Sequence, residues 1–197
     1  IAALREAMKE KNIDAYIIPS SDPHLSEYPA DRWKSREWIA GFDGSAGTVV
    51  ITADKAGLWT DSRYFLQAGI QLEGTGIELY KMALPETPTI PDFLLHELQN
   101  GQTVGMDGQT YSVTDAAQLE RTLNRKGIKL EASYDLIDQV WKDRPAIPGN
   151  PLFEMPVELS GKSVREKLDE INNQLRKQGA DSLIIAALDE VAWTFNI

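Results

Sequence analysis

Residues 4–22, LREAMKEKNIDAYIIPSSD, decide the fold of this chain, because they join an amphipathic helix to a short apolar strand through a two-residue turn. The same order returns in residues 171–189, INNQLRKQGADSLIIAALD, where Asp181 takes the place of Asp14. Internal similarity of this kind indicates a duplicated unit. We therefore expect a second domain to begin near the last residue, so that the chain is a piece of a larger protein. A chance match between two helix–turn–strand units is the alternative.

Outward from the first copy, strand-like and helix-like segments alternate as far as residue 141, with one hairpin inserted. Apolar residues recur at helical spacing or in short runs bounded by Gly and Pro. The predicted strands are 16–18, 48–52, 58–60, 77–82, 103–106, 128–132 and, in the second copy, 181–186. The predicted helices are 1–11, 31–40, 91–100, 114–126 and 136–141, with another beginning near Ser62. This order predicts an α/β fold, a mixed sheet with helices on both faces.

The helix predicted over 31–40 is rich in aromatic residues. Trp33, Trp38 and Ile39 are expected to anchor the core through this helix. Gly41 is expected to end it, since Gly is the residue that most often follows the last turn of a helix.

A proline-rich stretch divides the chain. Residues 143–158 hold four prolines, a composition typical of a stiff linker. We expect one complete domain over 1–142, this linker, and the incomplete start of a second, similar domain over 159–197. The helix of that second domain is expected to open on a capping box formed by Ser163 and Glu166.

The charge and composition exclude several classes of protein. The chain carries 30 acidic and 20 basic residues, for a net charge of −10, whereas a nucleic-acid binder needs a basic face. Cysteine is absent, which excludes disulfides and thiol nucleophiles and suits a reducing, cytoplasmic location. No apolar run approaches the roughly 18 residues of a membrane span. We expect neither nucleic-acid nor membrane partners.

Two glycine-containing segments resemble phosphate loops only superficially. Residues 41–47, GFDGSAG, follow a helix and precede the strand predicted over 48–52, which is the reverse of the order that phosphate loops require. Residues 161–163, GKS, lack the upstream glycine of a P-loop because Pro156 stands there. We expect the glycines at 41–47 to provide a helix stop and tight turns.

The sequence shows no complete set of catalytic or metal-binding residues. The chain has only two histidines, His24 and His96, and they lie far apart in sequence, so no metal site is expected within it. Ser20, Ser21 and Glu27 flank His24, but their spacing matches no known nucleophile turn. Loop residues of these types usually satisfy local backbone groups.

The run WTDSRY, residues 59–64, is more informative because it carries polar side chains directly after a strand. Strand ends in α/β sheets are where ligands and partners meet the fold. Asp61 is expected to cap the following helix, and Arg63 offers a planar fork of donors for a carboxylate or carbonyl. We favour the interpretation that these residues form a structural corner, a turn after the strand in which Arg63 pairs with Asp61. A role in an interface is the alternative.

Three blocks resemble a known family when they are taken together. Residues 14–28, 41–52 and 58–68 are similar in order and spacing to the N-terminal region of the Xaa-Pro aminopeptidases, the aminopeptidase P family of the creatinase–prolidase superfamily. The similarity runs through about residue 145, and residues 180–197 resemble the start of the middle domain in three-domain members. This resemblance implies a ribonuclease H-like topology for the first domain, without nuclease activity.

The resemblance also implies a function. Family members remove an N-terminal residue when proline is second, and two divalent ions, commonly manganese, act in a C-terminal domain. None of those metal-binding motifs occurs here, so we expect no catalytic residue, no metal ligand and no peptidase activity in this chain alone. Its expected partners are its own C-terminal catalytic domain, peptides with proline second, and a second copy in a homodimer. Loop 20–28 with His24, and the residues Asp61, Arg63 and Tyr64, are the candidates for the substrate entrance or an interface.

Two alternatives remain open at this point. The chain could be a freestanding peptide-binding module, or it could be the N-terminal part of a prolidase or creatinase. The second of these usually has two domains, and the repeated helix and strand after the linker favour three.

Overall fold

A six-stranded mixed sheet forms the centre of the first part of the chain. The strands are β1 (Ala15–Pro19), β2 (Thr48–Thr52), β3 (Ala56–Thr60), β4 (Glu78–Lys81), β5 (Thr103–Met106) and β6 (Lys129–Glu131). The computed structural model describes residues 1–197 and divides into two units, Ile1–Ile147 and Pro148–Ile197. The whole sheet belongs to the first unit.

The strand order is β4-β3-β2-β1-β5-β6. The central strand β1 pairs antiparallel with β2 and parallel with β5, and in the register with β2 Ile17 lies opposite Val50. Strand β3 runs antiparallel to β2 and parallel to β4, while β6 runs parallel to β5. Since only β2 runs against the rest, the carboxyl ends of the other five strands share one edge of the sheet. We call this the carboxyl edge.

Helices cover both faces of the sheet, because successive strand side chains point to opposite faces. The helices of the first unit are α1 (Ala2–Glu10), α2 (Ser35–Ala40), α3 (Phe65–Gln71), α4 (Ile90–Glu97), α5 (Val113–Asn124) and α6 (Leu136–Val140). Leu4 of α1 and Leu136 of α6 pack in one core with Tyr16 and Ile18. The other core joins the neighbouring strand position Ile17 to α4 and α5. The predicted α/β class is therefore confirmed.

Two details of the first unit differ from the sequence-based expectation. Helix α3 begins at Phe65 with Tyr64 as its N-cap, so Asp61 does not cap it; the chain makes a turn at 61–64 first. Trp38 is 38% exposed and stacks on Trp141 with ring centroids 5.0 Å apart. Ile39 packs against the core from a partly buried position, as expected, and the fully buried residues of α2 are Arg36 and Ala40.

The second unit consists of three helices, α7 (Val157–Ser160), α8 (Val164–Gln178) and α9 (Leu188–Phe195). Helix α8 begins on the predicted capping box of Ser163 and Glu166 and ends at Gly179 in a left-handed conformation. The prediction of a strand over 181–186 is wrong, because the structure has no regular secondary structure there. A strand needs a hydrogen-bonded neighbour, and no segment of the unit pairs with this one. That residues 159–197 begin a duplicated domain remains a prediction.

Candidate functional site

The carboxyl edge of the sheet gathers the segments that the sequence singles out. Residues 20–30 follow β1, residues 41–47 precede the antiparallel β2, and residues 61–64 follow β3. Strand directions therefore bring all three to one edge. Ligand sites of open α/β sheets are found at this edge.

Loop 20–28 is ordered by a buried carboxylate. Asp22 is 5% exposed, and its Oδ1 accepts hydrogen bonds from the backbone N–H groups of His24 at 2.9 Å and Ser26 at 3.0 Å. Burial opposes the charge of Asp22, but these donors outweigh it and hold the pKa of the carboxyl below its usual value. The turn places Leu25 at φ 56°, a left-handed conformation that costs energy for a residue with a Cβ. The loop thus presents a preformed shape.

Arg36 ties this loop to the glycine-rich segment. Its guanidinium is buried with the residue 5% exposed, and it donates to the carbonyl oxygens of Phe42 and Gly44. Its Nε donates to Ser20 Oγ at 2.8 Å, and its Cζ lies 4.9 Å from the centre of the Phe42 ring. Burial lowers the pKa of Arg36 from its ordinary value, with no carboxylate in direct contact. One side chain therefore fixes the backbone of two loops.

The glycines of 41–47 meet two separate demands. Gly41 ends α2 at φ 69°, a conformation that glycine adopts without cost. A Cβ on Gly44 would overlap the rings of Phe42 and Tyr64, so a larger residue would require these rings to shift. The expected helix stop and tight turn are both present.

Arg63 pairs with Asp61, as the corner interpretation predicts, and its guanidinium lies 5.1 Å from the centre of the Tyr64 ring. Both Asp61 carboxylate oxygens accept from the Arg63 guanidinium, at 2.9 and 2.8 Å, and this pairing lowers the pKa of Asp61. Tyr64 Oη lies 2.8 Å from Ser45 Oγ. The corner is therefore joined to segment 41–47. His24 is exposed, and its side chain makes no hydrogen bond to these residues.

A cavity of about 260 Å³ opens where these segments meet. Its wall is formed by residues of loop 20–28, of the stretch 29–37 and of segment 41–47. Residues 61–64 do not line the cavity, but Tyr64 contacts the lining residue Ser45. The lining residues are Ser20, Glu27, Tyr28, Pro29, Trp33, Lys34, Arg36, Glu37, Asp43, Gly44 and Ser45. Sequence reasoning named loop 20–28 as part of a possible entrance, which covers Ser20, Glu27 and Tyr28, but it placed none of the other lining residues there. The sequence offered one signal for a buried arginine. Arg36 stands four residues before Ala40, so the two share the inward face of a short helix.

A metal centre would require clustered ligands, and the chain offers none: no group of three or more His, Asp or Glu side chains is arranged to hold an ion. The residues present therefore do not fit the two divalent ions that the resemblance implies, and no step of a metal-dependent reaction is assigned to them. No helix of the structure is long and apolar enough to cross a membrane.

Comparison with known proteins decides the family. Residues 1–140 match the Creatinase/Prolidase N-terminal domain, and residues 143–197 match a second sequence family of the same description. The chain belongs to the creatinase/prolidase N-terminal domain family. This confirms the resemblance inferred from the three sequence blocks.

The fungal relatives of this family member are longer than the chain itself. A probable Xaa-Pro aminopeptidase P of Coprinopsis cinerea is 44% identical over 199 residues, covering 100% of this chain and 32% of the relative. The corresponding protein of Laccaria bicolor is 42% identical, again over 100% of this chain and 31% of the relative. The chain spans about a third of the length of the curated relatives that it matches.

Solved structures of the family share the fold. The X-prolyl aminopeptidase of Caenorhabditis elegans, described as a cytosolic enzyme with a di-nuclear active site, matches with a TM-score of 0.81 and 34% identity over 93% of this chain and 30% of that one. An Xaa-Pro aminopeptidase from Streptococcus pyogenes matches with a TM-score of 0.53 and 24% identity over 71% of this chain and 92% of that one. The second likeness concerns the fold alone.

Proposed function

We propose that this chain is the non-catalytic N-terminal portion of a metal-dependent Xaa-Pro aminopeptidase, a hydrolase that removes the residue preceding a second-position proline. The observation that carries the proposal is the 44% identity to the Coprinopsis cinerea relative along the entire chain. Because that relative is about three times as long, it has room for a separate catalytic domain. We assign the two divalent ions, commonly manganese in this family, to that remaining polypeptide.

The carboxyl edge is the part of this chain that we propose to shape the active-site entrance and to support contacts with the catalytic domain or a second subunit. Two features support this. Its loops are held rigidly by Asp22 and Arg36, and large side chains are nevertheless left in solvent, with Leu25 54% and Tyr28 80% exposed. Ordered loops with exposed apolar side chains are typical of surfaces that meet a partner. The nematode enzyme is described as cytosolic, and we propose the same location here.

A peptidase assay on two lengths of polypeptide tests the assignment. Residues 1–197, supplied with Mn²⁺, are expected to release no alanine from Ala-Pro-Ala, while the longer gene product cleaves it. Turnover by residues 1–197 would overturn the assignment of catalysis to other polypeptide, and an inactive longer product would overturn the enzyme itself.

The entrance role needs a separate measurement in the longer protein. Tyr28→Ala is expected to change KM for an Xaa-Pro pentapeptide more than for a tripeptide, because a longer peptide reaches further toward the entrance. Glu120→Ala, on the exposed side of α5, is the matched control and should change neither value. Equal effects of Tyr28→Ala on both peptides would contradict the entrance role.

A further inference from the structure

The cavity at the carboxyl edge is lined by the guanidinium of Arg36, which Glu37 and Asp43 influence from a distance but which no carboxylate contacts directly. Arg36 lines the cavity, and its three hydrogen bonds go to the neutral oxygens of Ser20, Phe42 and Gly44. An arginine side chain has five N–H groups, so two of them have no acceptor within the chain. No carboxylate forms a salt bridge with it, although Arg32 and Arg63 elsewhere in the unit both have one. A buried guanidinium with spare donors favours an acceptor brought by a ligand.

The lining of the same cavity also carries three carboxylates and one ammonium group, that of Lys34, which pairs with Asp31. The carboxylates of Glu27 and Glu37 line it and accept no hydrogen bond from any other group of the chain. Asp43 also lines the cavity; its Oδ1 accepts from Gln67 at 2.6 Å and Gln71 at 2.8 Å. Acceptors without donors at a cavity mouth suit a ligand that brings N–H groups with a positive charge.

Part of the cavity wall is apolar. Pro29, Trp33 and Tyr28 contribute this part of the lining. The volume of about 260 Å³ lies just below the roughly 300–1,000 Å³ of typical ligand sites. A ligand of this size is an amino acid or a very short peptide.

We propose that this cavity binds a short zwitterionic peptide, whose carboxylate accepts from Arg36 and whose α-ammonium faces Glu27 and Glu37. The ring of a proline residue would occupy the space beside Trp33 and Pro29. The inference rests on the proposed function for the choice of a proline-containing peptide, whereas the charge pattern of the cavity stands by itself.

Binding to the full 197-residue chain tests the inference directly. Titration with the dipeptide Ala-Pro, followed by the backbone amide NMR signals, is expected to give saturable shifts centred on Gly44, Ser45 and Tyr28. N-acetyl-Ala-Pro and Ala-Pro amide each remove one charge. Each should bind at least about tenfold more weakly, since a hydrogen bond to a charged group is stronger than one between neutral groups.

Single substitutions locate the site without disturbing the fold. Glu37→Gln is expected to weaken Ala-Pro binding about tenfold and to abolish the preference for the free ammonium. Glu120→Gln, an exposed carboxyl on α5, is the matched control and should leave affinity unchanged. Arg36 is left intact because its removal disturbs the loops themselves.

Three results would overturn the inference: no saturable shifts, equal binding of the acetylated dipeptide, or shifts centred away from segment 41–47. None of them bears on catalysis, which the peptidase assay on the longer gene product decides independently. An active longer enzyme with no peptide binding to this chain would remove the cavity site and leave the proposed function standing.

Discussion

Arg36 and Ser20 are joined by a hydrogen bond of 2.8 Å between Nε and Oγ, although they lie on different elements of the fold. Ser20 Oγ in turn donates to the Gly47 carbonyl at 2.8 Å. The end of β1, the helix α2 and the start of β2 are thereby held together at one edge. The shape of the candidate site depends on this contact, because both loops around the cavity begin or end at it.

Replacing Arg36 with methionine should destabilise the first unit by about 2–4 kcal/mol. The substitution keeps the stem of the side chain but leaves the carbonyl oxygens of Phe42 and Gly44 without donors, and each unsatisfied buried acceptor costs about 1–3 kcal/mol. Urea unfolding followed by tryptophan fluorescence measures the change.

Arg121→Met is the control for this substitution, since Arg121 is exposed on α5 and makes no side-chain hydrogen bond. It should change the free energy of unfolding by less than about 0.5 kcal/mol. Equal effects of the two substitutions would show that the Arg36 contacts contribute nothing specific to stability.

Gly44→Ala and Gly69→Ala should change stability in opposite directions. The new methyl at position 44 would overlap the rings of Phe42 and Tyr64, while at position 69 nothing lies within 4 Å. Overpacking at Gly44 is expected to cost about 1–3 kcal/mol, whereas alanine in helix α3 should add about 0.5–1 kcal/mol. Thermal unfolding of both variants tests the pair. A neutral Gly44→Ala would mean that Phe42 and Tyr64 are free to move aside.

Most of the fold could be predicted from local sequence patterns. Alternating segments from Leu4 to Trp141 predicted all six strands of the sheet, since short apolar runs bounded by turn residues are consistent with buried strands. The capping box of Ser163 and Glu166 fixed the start of α8 to the residue. These successes share a cause, because each depends on interactions within a few residues of sequence.

The remaining features depend on contacts that are distant in sequence. Arg36 is a surface type by composition, and its burial depends on acceptors from two separate loops, including Ser20, sixteen residues before it. The cavity likewise draws on three loops, and no single motif marks it. The strand expected over 181–186 failed for the same reason, since its apolar residues need a neighbouring strand that residues 1–197 do not provide.

Acid should loosen loop 20–28 through Asp22. The folded-state pKa of this carboxyl lies below the ordinary value of 3.8, so its stabilisation is complete above pH 3.8 and is lost as the pH falls through the folded value. Amide hydrogen exchange at His24 and Ser26, measured downward from pH 5, should show protection that declines below about pH 4.

Asp22→Asn removes this titration, so its exchange at the two amides should follow only the intrinsic pH dependence of exchange. Asp143→Asn, at an exposed position in the proline-rich segment, should behave like the unsubstituted protein. A loop whose protection in the unsubstituted protein is independent of pH down to 2 would contradict the assigned role of Asp22.

Lys167 should be the residue that holds α9 against α8. It is 1% exposed, its Nζ donates to the Trp193 carbonyl and to Asn196 Oδ1 at 2.6 Å each, and it lies 4.4 Å from the centre of the Trp193 ring. Lys167→Met keeps the stem but leaves both acceptors unpaired, so amide protection over 193–196 should fall at least about tenfold. Lys177 is exposed near the end of α8, so Lys177→Met should leave the amide protection over 193–196 unchanged. If Lys167→Met also left this protection unchanged, other contacts would hold α9 against α8.

Residues 181–186 should become a strand when the chain is extended by the polypeptide that its relatives carry. The run DSLIIA is apolar at its centre, yet Ile184 is 91% and Leu183 is 54% exposed. In a strand that lies between two neighbouring strands, these side chains would be buried. Hydrogen exchange of the longer gene product should therefore protect the amides of 183–185, which exchange freely in residues 1–197. The amides of α8 serve as the internal reference, since their hydrogen bonds are made in both proteins. If 183–185 stayed unprotected while α8 remained protected, the interpretation of 171–189 as a second copy of 4–22 would be wrong, because the copies would then share a helix and differ in the strand that defines them.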